Sequence, residues 1–214
     1  MTINLSNFKN ELNTHFVDMP HLVTEDLIRQ YFIDVQPLNK PNTTIEMPYR
    51  CLKIKKTFWR IINNRARADL YYNGLNTSTN ETEDIVIEFK YHKQVKHSTT
   101  CKTTNMGEVF RDLNRLSTLD NNEKYFIYVF DQEMKDYYDK HSTVNFLKID
   151  KKTFDINIKT MNKISKDDNG EFYKSAFSSF SDDCQDFSKF NYSIKTIFKG
   201  AIIKSYYLII LQIV

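Results

Sequence analysis

The chain is poor in residues that punctuate or cross-link: four glycines, four prolines and three cysteines among 214 residues. So little glycine and proline excludes a long flexible linker, and the length suits a single domain, 1–214, with a full hydrophobic core. Cys51, Cys101 and Cys184 have no C-x-x-C spacing and are odd in number. That argues against a structural zinc site or a disulfide framework and fits a reducing, cytoplasmic compartment. The first residues hold no continuous apolar segment, so no secretory signal is expected. The apolar run at 206–214 is far shorter than the ~20 residues that span a bilayer, so it reads as a buried terminal strand or helix, with no membrane partner. Acid is missing too, but only locally. Residues 50–68 carry Arg50, Lys53, Lys55, Lys56, Arg60, Arg65 and Arg67 without one Asp or Glu, and 90–102 carry Lys90, Lys93, Lys96 and Lys102 without one.

A formal net charge of +3 does not make a nucleic-acid binder, so the placement of charge matters more than its sum. The most informative stretch is 83–91, Glu-Asp-Ile-Val-Ile-Glu-Phe-Lys-Tyr. Side chains alternate across a strand, so Glu88 and Lys90 share one face while Ile85, Ile87 and Phe89 anchor the other. Upstream, Arg67-Ala68-Asp69-Leu70-Tyr71 places a second acid in a short strand. The turn-rich segment 73–82 joins the two strands as antiparallel neighbours.

Elsewhere the pattern predicts a helix capped by Ser6, with Phe8, Leu12 and Phe16 as its stripe. Thr24 caps a second helix that carries Glu25 and Asp26 in its first turn. Residues 36–48, with three prolines, read as loop, and 49–72 as β-rich and basic. A helix is expected at 106–119, a doubly buried strand at 125–130, and a helix capped by Asp131 running to about His141. Segments 144–149 and 154–159 suit a hairpin, and 191–198 a strand. This order predicts an α/β protein whose mixed central sheet lies between helices.

The order of elements, with Asp69, Glu88 and Lys90 on successive strands, resembles the PD-(D/E)xK nuclease superfamily and its restriction-endonuclease-like fold. The resemblance covers 20–141, and leaves 142–214 as a C-terminal β-rich elaboration. Ala68 departs from the pattern, standing where the family's proline would precede the aspartate. The resemblance implies a three-layer α/β/α core and a metal-dependent endonuclease with Asp69, Glu88 and Lys90 as catalytic residues. Glu25 matches an acid that some members add to the metal site. It further implies DNA as substrate, with RNA as the alternative, a role in restriction, phage defence or DNA processing, and a homodimer as one assembly.

The chemistry can also be argued directly. Hydrolysis of a phosphodiester needs a nucleophilic water and neutralisation of charge on the phosphoryl group. Mg²⁺, or Mn²⁺ in its place, prefers oxygen ligands and keeps several waters, so Asp69 and Glu88 suffice to hold it. Lys90 orients the water, helps to deprotonate it, or stabilises the transition state; all three roles stay open. Lys53 and Lys55, Arg65 and Arg67, and Lys93 and Lys96 are the expected phosphate contacts. Plainer readings stand beside these. Glu88 and Lys90 alone could be a surface ion pair, and Asp112 with Arg115 an ordinary i, i+3 pair. His92 and His97 suit a surface. A rival function is a catalytically inactive module of the same fold that binds nucleic acid or protein.

Overall fold

The computed structural model describes residues 3–38, 40–58, 62, 65–75, 81–93, 102–121, 123–140, 153–157, 159–160, 175, 177 and 189–214. Helix α1 (Leu5–Asp18) buries the expected stripe of Phe8, Leu12 and Phe16. Its cap is Asn4 and not Ser6: the Asn4 side chain accepts from the Asn7 amide at 3.3 Å. Both residue types cap well, and Leu5, which packs on the same core as Phe8, draws the helix start upstream. Helix α2 (Glu25–Val35) is capped by Thr24 as expected, and buries Ile28, Phe32 and Ile33.

The expected loop at 36–48 contains an edge strand, β1 (Thr43–Pro48), paired antiparallel with β2 (Arg67–Leu75). Thr43, Thr44 and Ile45 are β-branched and favour the strand, while Pro48 is tolerated because it closes an edge. Residues 49–58, expected as part of a β-rich stretch, form no sheet strand but 3₁₀ segments Tyr49–Cys51 and Lys56–Phe58 with an isolated antiparallel bridge, Ile54 to Leu119, between them. The buried residues there are Tyr49, Leu52 and Phe58, a spacing that no alternating strand could bury on one face.

Strand β2 pairs antiparallel with β3 (Thr82–His92), and β3 runs parallel to β4 (Glu123–Asp131) through helix α3 (Lys102–Ser117). Helix α3 starts earlier than 106 because Thr103 and Asn105 are buried against α4 (Gln132–Lys140). The Thr103 hydroxyl lies 3.1 Å from that of Tyr137, and the Asn105 amide reaches the Met134 sulfur at 3.7 Å. Asp131 caps α4 as expected, accepting from the Met134 amide at 3.0 Å.

Strands β5 (Thr153–Ile156), β6 (Tyr192–Ile203) and β7 (Tyr206–Ile213) complete a seven-stranded mixed sheet ordered β1-β2-β3-β4-β7-β6-β5. The apolar tail is thus a strand, β7, laid antiparallel between β4 and β6. Strand β6 runs beyond 198 to Ile203, with irregularities at Thr196/Phe198 and Ala201/Ile203 that blur the alternation a sequence reading depends on. Segment 144–149 lies outside the described residues, and β5 pairs with β6.

Among the described residues, two helices cover each sheet face. One core gathers Phe8, Phe16, Ile28 and Phe32 of α1 and α2 on Ile85, Ile87 and Phe89. The other gathers Val109, Phe110, Leu113 and Leu116 of α3 and Met134 of α4 on Val86, Phe126 and Leu211. The chain is therefore α/β with a sheet sandwiched between helices. Among the described residues, no helix is long and apolar enough to cross a membrane.

Candidate active site

Strand β3 alternates as its sequence demands. Ile85, Ile87 and Phe89 enter the core beneath α1 and α2. Glu88, Lys90 and His92 face the opposite way, toward α3, which offers Arg115, Asp112 and Glu108 from one helix face. The result is a ladder of opposite partners. Arg115 Nη2 lies 3.6 Å from Glu88 Oε1, Lys90 Nζ 3.4 Å from Asp112 Oδ2, and His92 Nε2 3.1 Å from Glu108 Oε2. Helical spacing on α3 and alternation on β3 keep the two rows in step.

The strands part beside this ladder. Pairing between β2 and β3 ends at Leu70 and Ile87. Past that point carboxylates take over the role of a neighbouring strand. Asp69 Oδ2 accepts from the Phe89 amide at 2.6 Å, and Glu25 Oε2, from the first turn of α2, accepts from the Tyr91 amide at 3.0 Å. Glu25 also sits 3.4 Å from Lys90 Nζ. The structure therefore brings together the four residues singled out in the sequence for catalysis and metal binding: Asp69, Glu88, Lys90 and Glu25.

Burial dominates the electrostatics. It pushes the carboxyl groups of Glu25, Asp69 and Glu88 upward, most of all Glu88, which is 1% exposed. The Asp69 charge raises Glu88 further, and Arg115 opposes both effects. Asp112 goes the other way. Burial disfavours its charge, but Lys90, Arg115 and Arg111 outweigh burial and hold it well below the carboxylate range. For Lys90, burial works against the ammonium, while Asp112 and Glu25 prevail and keep it above the ordinary lysine range.

Asp69 and Glu88 are neighbouring oxygen donors, the Asp69 charge raising Glu88 while a hydrogen bond with Glu88 lowers Asp69, and this donor set fits a hard divalent cation that keeps most of its waters. Among the described residues, no group of three His, Cys, Asp or Glu is arranged to hold a metal ion. Glu25, expected as a third ligand, lies against Lys90 and the Tyr91 amide.

Further residues join the site without having been singled out for it. The Tyr49 hydroxyl donates to Glu88 Oε1 at 2.5 Å, and the Arg115 guanidinium stacks 5.6 Å from the Tyr49 ring centre. Asp112 pairs with Arg115 at i, i+3 as expected, but it is fully buried and also lies 3.4 Å from Lys90. Arg29 of α2 reaches Asp69 at 3.7 Å and Glu46 at 2.8 Å. Glu46 adopts φ 56°, a strained conformation for a non-glycine residue, at the point where β1 offers its carboxylate to Arg29. His92, expected on the surface, is 7% exposed, with Nδ1 2.9 Å from the Tyr128 hydroxyl.

The expected phosphate contacts are differently placed. Lys53 and Lys55 belong to no strand of the sheet: they flank Ile54, which makes an isolated antiparallel bridge to Leu119. Lys53 pairs with buried Asp84 at 2.8 Å, and Lys55 Nζ donates to the Ser117 carbonyl at the end of α3 at 2.9 Å. Arg67 Nη1 donates to the Glu46 carbonyl and Lys93 Nζ to the Pro20 carbonyl, each at 3.2 Å. Arg65 is exposed in the turn before β2. Lys96, together with His97 and Trp59, lies outside the described residues.

These shifts predict an unusual pH profile. A carboxyl group whose pKa is raised on folding binds more protons folded than unfolded, so it adds stability as pH falls toward its unfolded value of about 4. Glu25, Asp69 and Glu88 all act in that direction. His92, lowered by burial, acts against them below its unfolded value of about 6.5. The thermal midpoint should therefore rise between about pH 7.5 and about pH 5, three groups outweighing one. Below about pH 4 it should fall, as Asp112 and Glu108, whose pKa values are depressed, take up protons. Melting curves by circular dichroism would show this, and a midpoint that falls steadily from neutral pH would contradict it.

No protein-family model matches this chain, and no curated protein or solved structure matches it either.

Proposed function

We propose that this chain is a metal-dependent phosphodiesterase, an endonuclease acting on DNA, built on a restriction-endonuclease-like core. The observation that carries the reading is the convergence of Asp69, Glu88 and Lys90 where β2 parts from β3, with Glu25 held against Lys90. Asp69 and Glu88 would hold Mg²⁺ or Mn²⁺. Bound there, the ion would lower the pKa of a coordinated water and neutralise phosphoryl charge.

The remaining steps belong to the chain's own groups. Lys90 is fixed by Asp112 and Glu25 and kept protonated, which suits it to orient a water and to stabilise negative charge rather than to accept a proton. Arg65 and Arg67, exposed and near Asp69 in sequence, would guide a polyanion, with Lys93 just beyond β3. Cutting two strands would use two copies of the site, the reason for proposing a homodimer.

One observation favours the second reading, a module of this fold that binds nucleic acid or protein without hydrolysis. Glu88 is almost wholly buried and already faces a cation, Arg115. Incubating the purified protein with supercoiled plasmid separates the readings. Nicking or linearisation with Mg²⁺ or Mn²⁺ that EDTA abolishes is expected. Salt-sensitive retention of the plasmid without cutting would instead establish the binding module.

A further inference from the structure

Each of the two carboxylates proposed to hold the cation already has an arginine beside it. Arg115 Nη2 lies 3.6 Å from Glu88 Oε1, and Arg29 Nη1 lies 3.7 Å from Asp69 Oδ1. Both guanidinium side chains are 12% exposed. Neither contact is the arginine's shortest. Arg115 is bound more closely to Asp112, and Arg29 to Asp26 and Glu46 at 2.5 and 2.8 Å. Each arginine therefore has an anchor that survives if its contact with the site carboxylate is given up.

Arg115 has a second distinctive feature. Its Nε is buried and finds no hydrogen-bond acceptor among the described residues, and Asp112 Oδ2, 3.4 Å from Lys90 Nζ, accepts no hydrogen bond there. A buried guanidinium N–H without an acceptor is costly and rare, and it marks a donor available to an incoming group. A phosphate oxygen is the acceptor that a guanidinium in this setting suits.

We infer that Arg115, with Arg29 in the lesser part, is a resident counter-ion that holds Glu88 and Asp69 until a divalent cation takes their oxygens. The cation then competes with the guanidinium for Glu88, and Arg115, still tethered to Asp112, is left to turn its donors to a phosphate. This inference rests on the proposed metal site. It adds that the site is kept neutral and ordered before loading, and that its metal affinity is held down by a positive charge within the site. Like-charge repulsion at this range in a half-dry environment is strong enough to lower affinity by about tenfold or more.

The test is calorimetric titration of Mn²⁺ into the protein without DNA, comparing wild type, Arg115→Gln, Arg29→Gln and Asp69→Ala, each checked for folding by circular dichroism. Glutamine keeps polar contact with Asp112 and removes the charge. Arg115→Gln is expected to bind Mn²⁺ about tenfold more tightly than wild type, Arg29→Gln by a smaller factor, and Asp69→Ala more weakly. If Arg115→Gln does not fold, tightening in Arg29→Gln carries the test. Mn²⁺ binding by wild type that is unchanged or weakened in folded arginine variants would overturn the counter-ion role and leave the metal site standing. No Mn²⁺ binding by any variant would overturn both.

Discussion

Replacing Asp112 by alanine is expected to lower folding stability by about 3–5 kcal/mol, the range seen when one member of a buried ion cluster is removed. Asp112 is fully buried and is the common partner of Lys90, Arg111 and Arg115. Without it, Lys90 keeps Glu25 and Arg115 keeps Glu88, but three cations have lost the charge between them. Two of them cannot reach water easily, with side chains only 12–13% exposed. The loss should be largely recovered in an Asp112→Ala, Arg115→Met double variant, because one uncompensated cation leaves with the acid. Urea unfolding of the single and double variants measures both effects. A single-variant loss below about 1 kcal/mol would show that the cluster is solvated and not the buried ladder described.

For catalysis the largest effects are expected at Asp69 and Lys90. Lys90→Ala should lower DNA cleavage about 10²–10⁴-fold, the range for removing a group that acts on charge or protons in a transition state. Stability should suffer less than in Asp112→Ala, since Asp112 retains Arg111 and Arg115. Lys90→Arg should not rescue activity, because the planar guanidinium cannot occupy the space between Asp112 and Glu25 as a compact ammonium does. Asp69→Ala should be at least as damaging, since it removes both a proposed ligand and the group that accepts the Phe89 amide. Single-turnover cleavage at saturating Mn²⁺ separates chemistry from binding. Retention of more than about a tenth of wild-type activity in folded Lys90→Ala would remove this residue from the mechanism.

Much of the architecture was legible because it depends on near neighbours in the chain. Thr24 and Asp131 act as the caps they resemble, since a cap is decided within three residues. The alternation of 85–90 places Glu88 and Lys90 opposite Ile85, Ile87 and Phe89 whatever packs around them. The failures share a different cause. Strand β1 was hidden among prolines because its pairing with β2 is what makes it a strand. Thr103 and Asn105 fell outside the helix expected at 106–119 because their burial depends on α4. Lys53 and Lys55 looked like one basic strand face, but their partners, Asp84 and the end of α3, come from other elements.

By itself, then, the sequence determined which side chains lie on which face of β3, where α2 and α4 begin, and that Asp69 and Glu88 stand on adjacent antiparallel strands. Periodicity and capping operate over two to four residues, so composition and spacing suffice for them. Only the tertiary structure decided that Asp112 and Arg115 form the floor of the site, that Tyr49 donates to Glu88, and that Lys90 stays charged. An Asp and an Arg three residues apart read the same on a solvated helix as on a buried one. What separates the two cases is the low-dielectric packing of α3 on β3, which makes their charges strong and their partners obligatory.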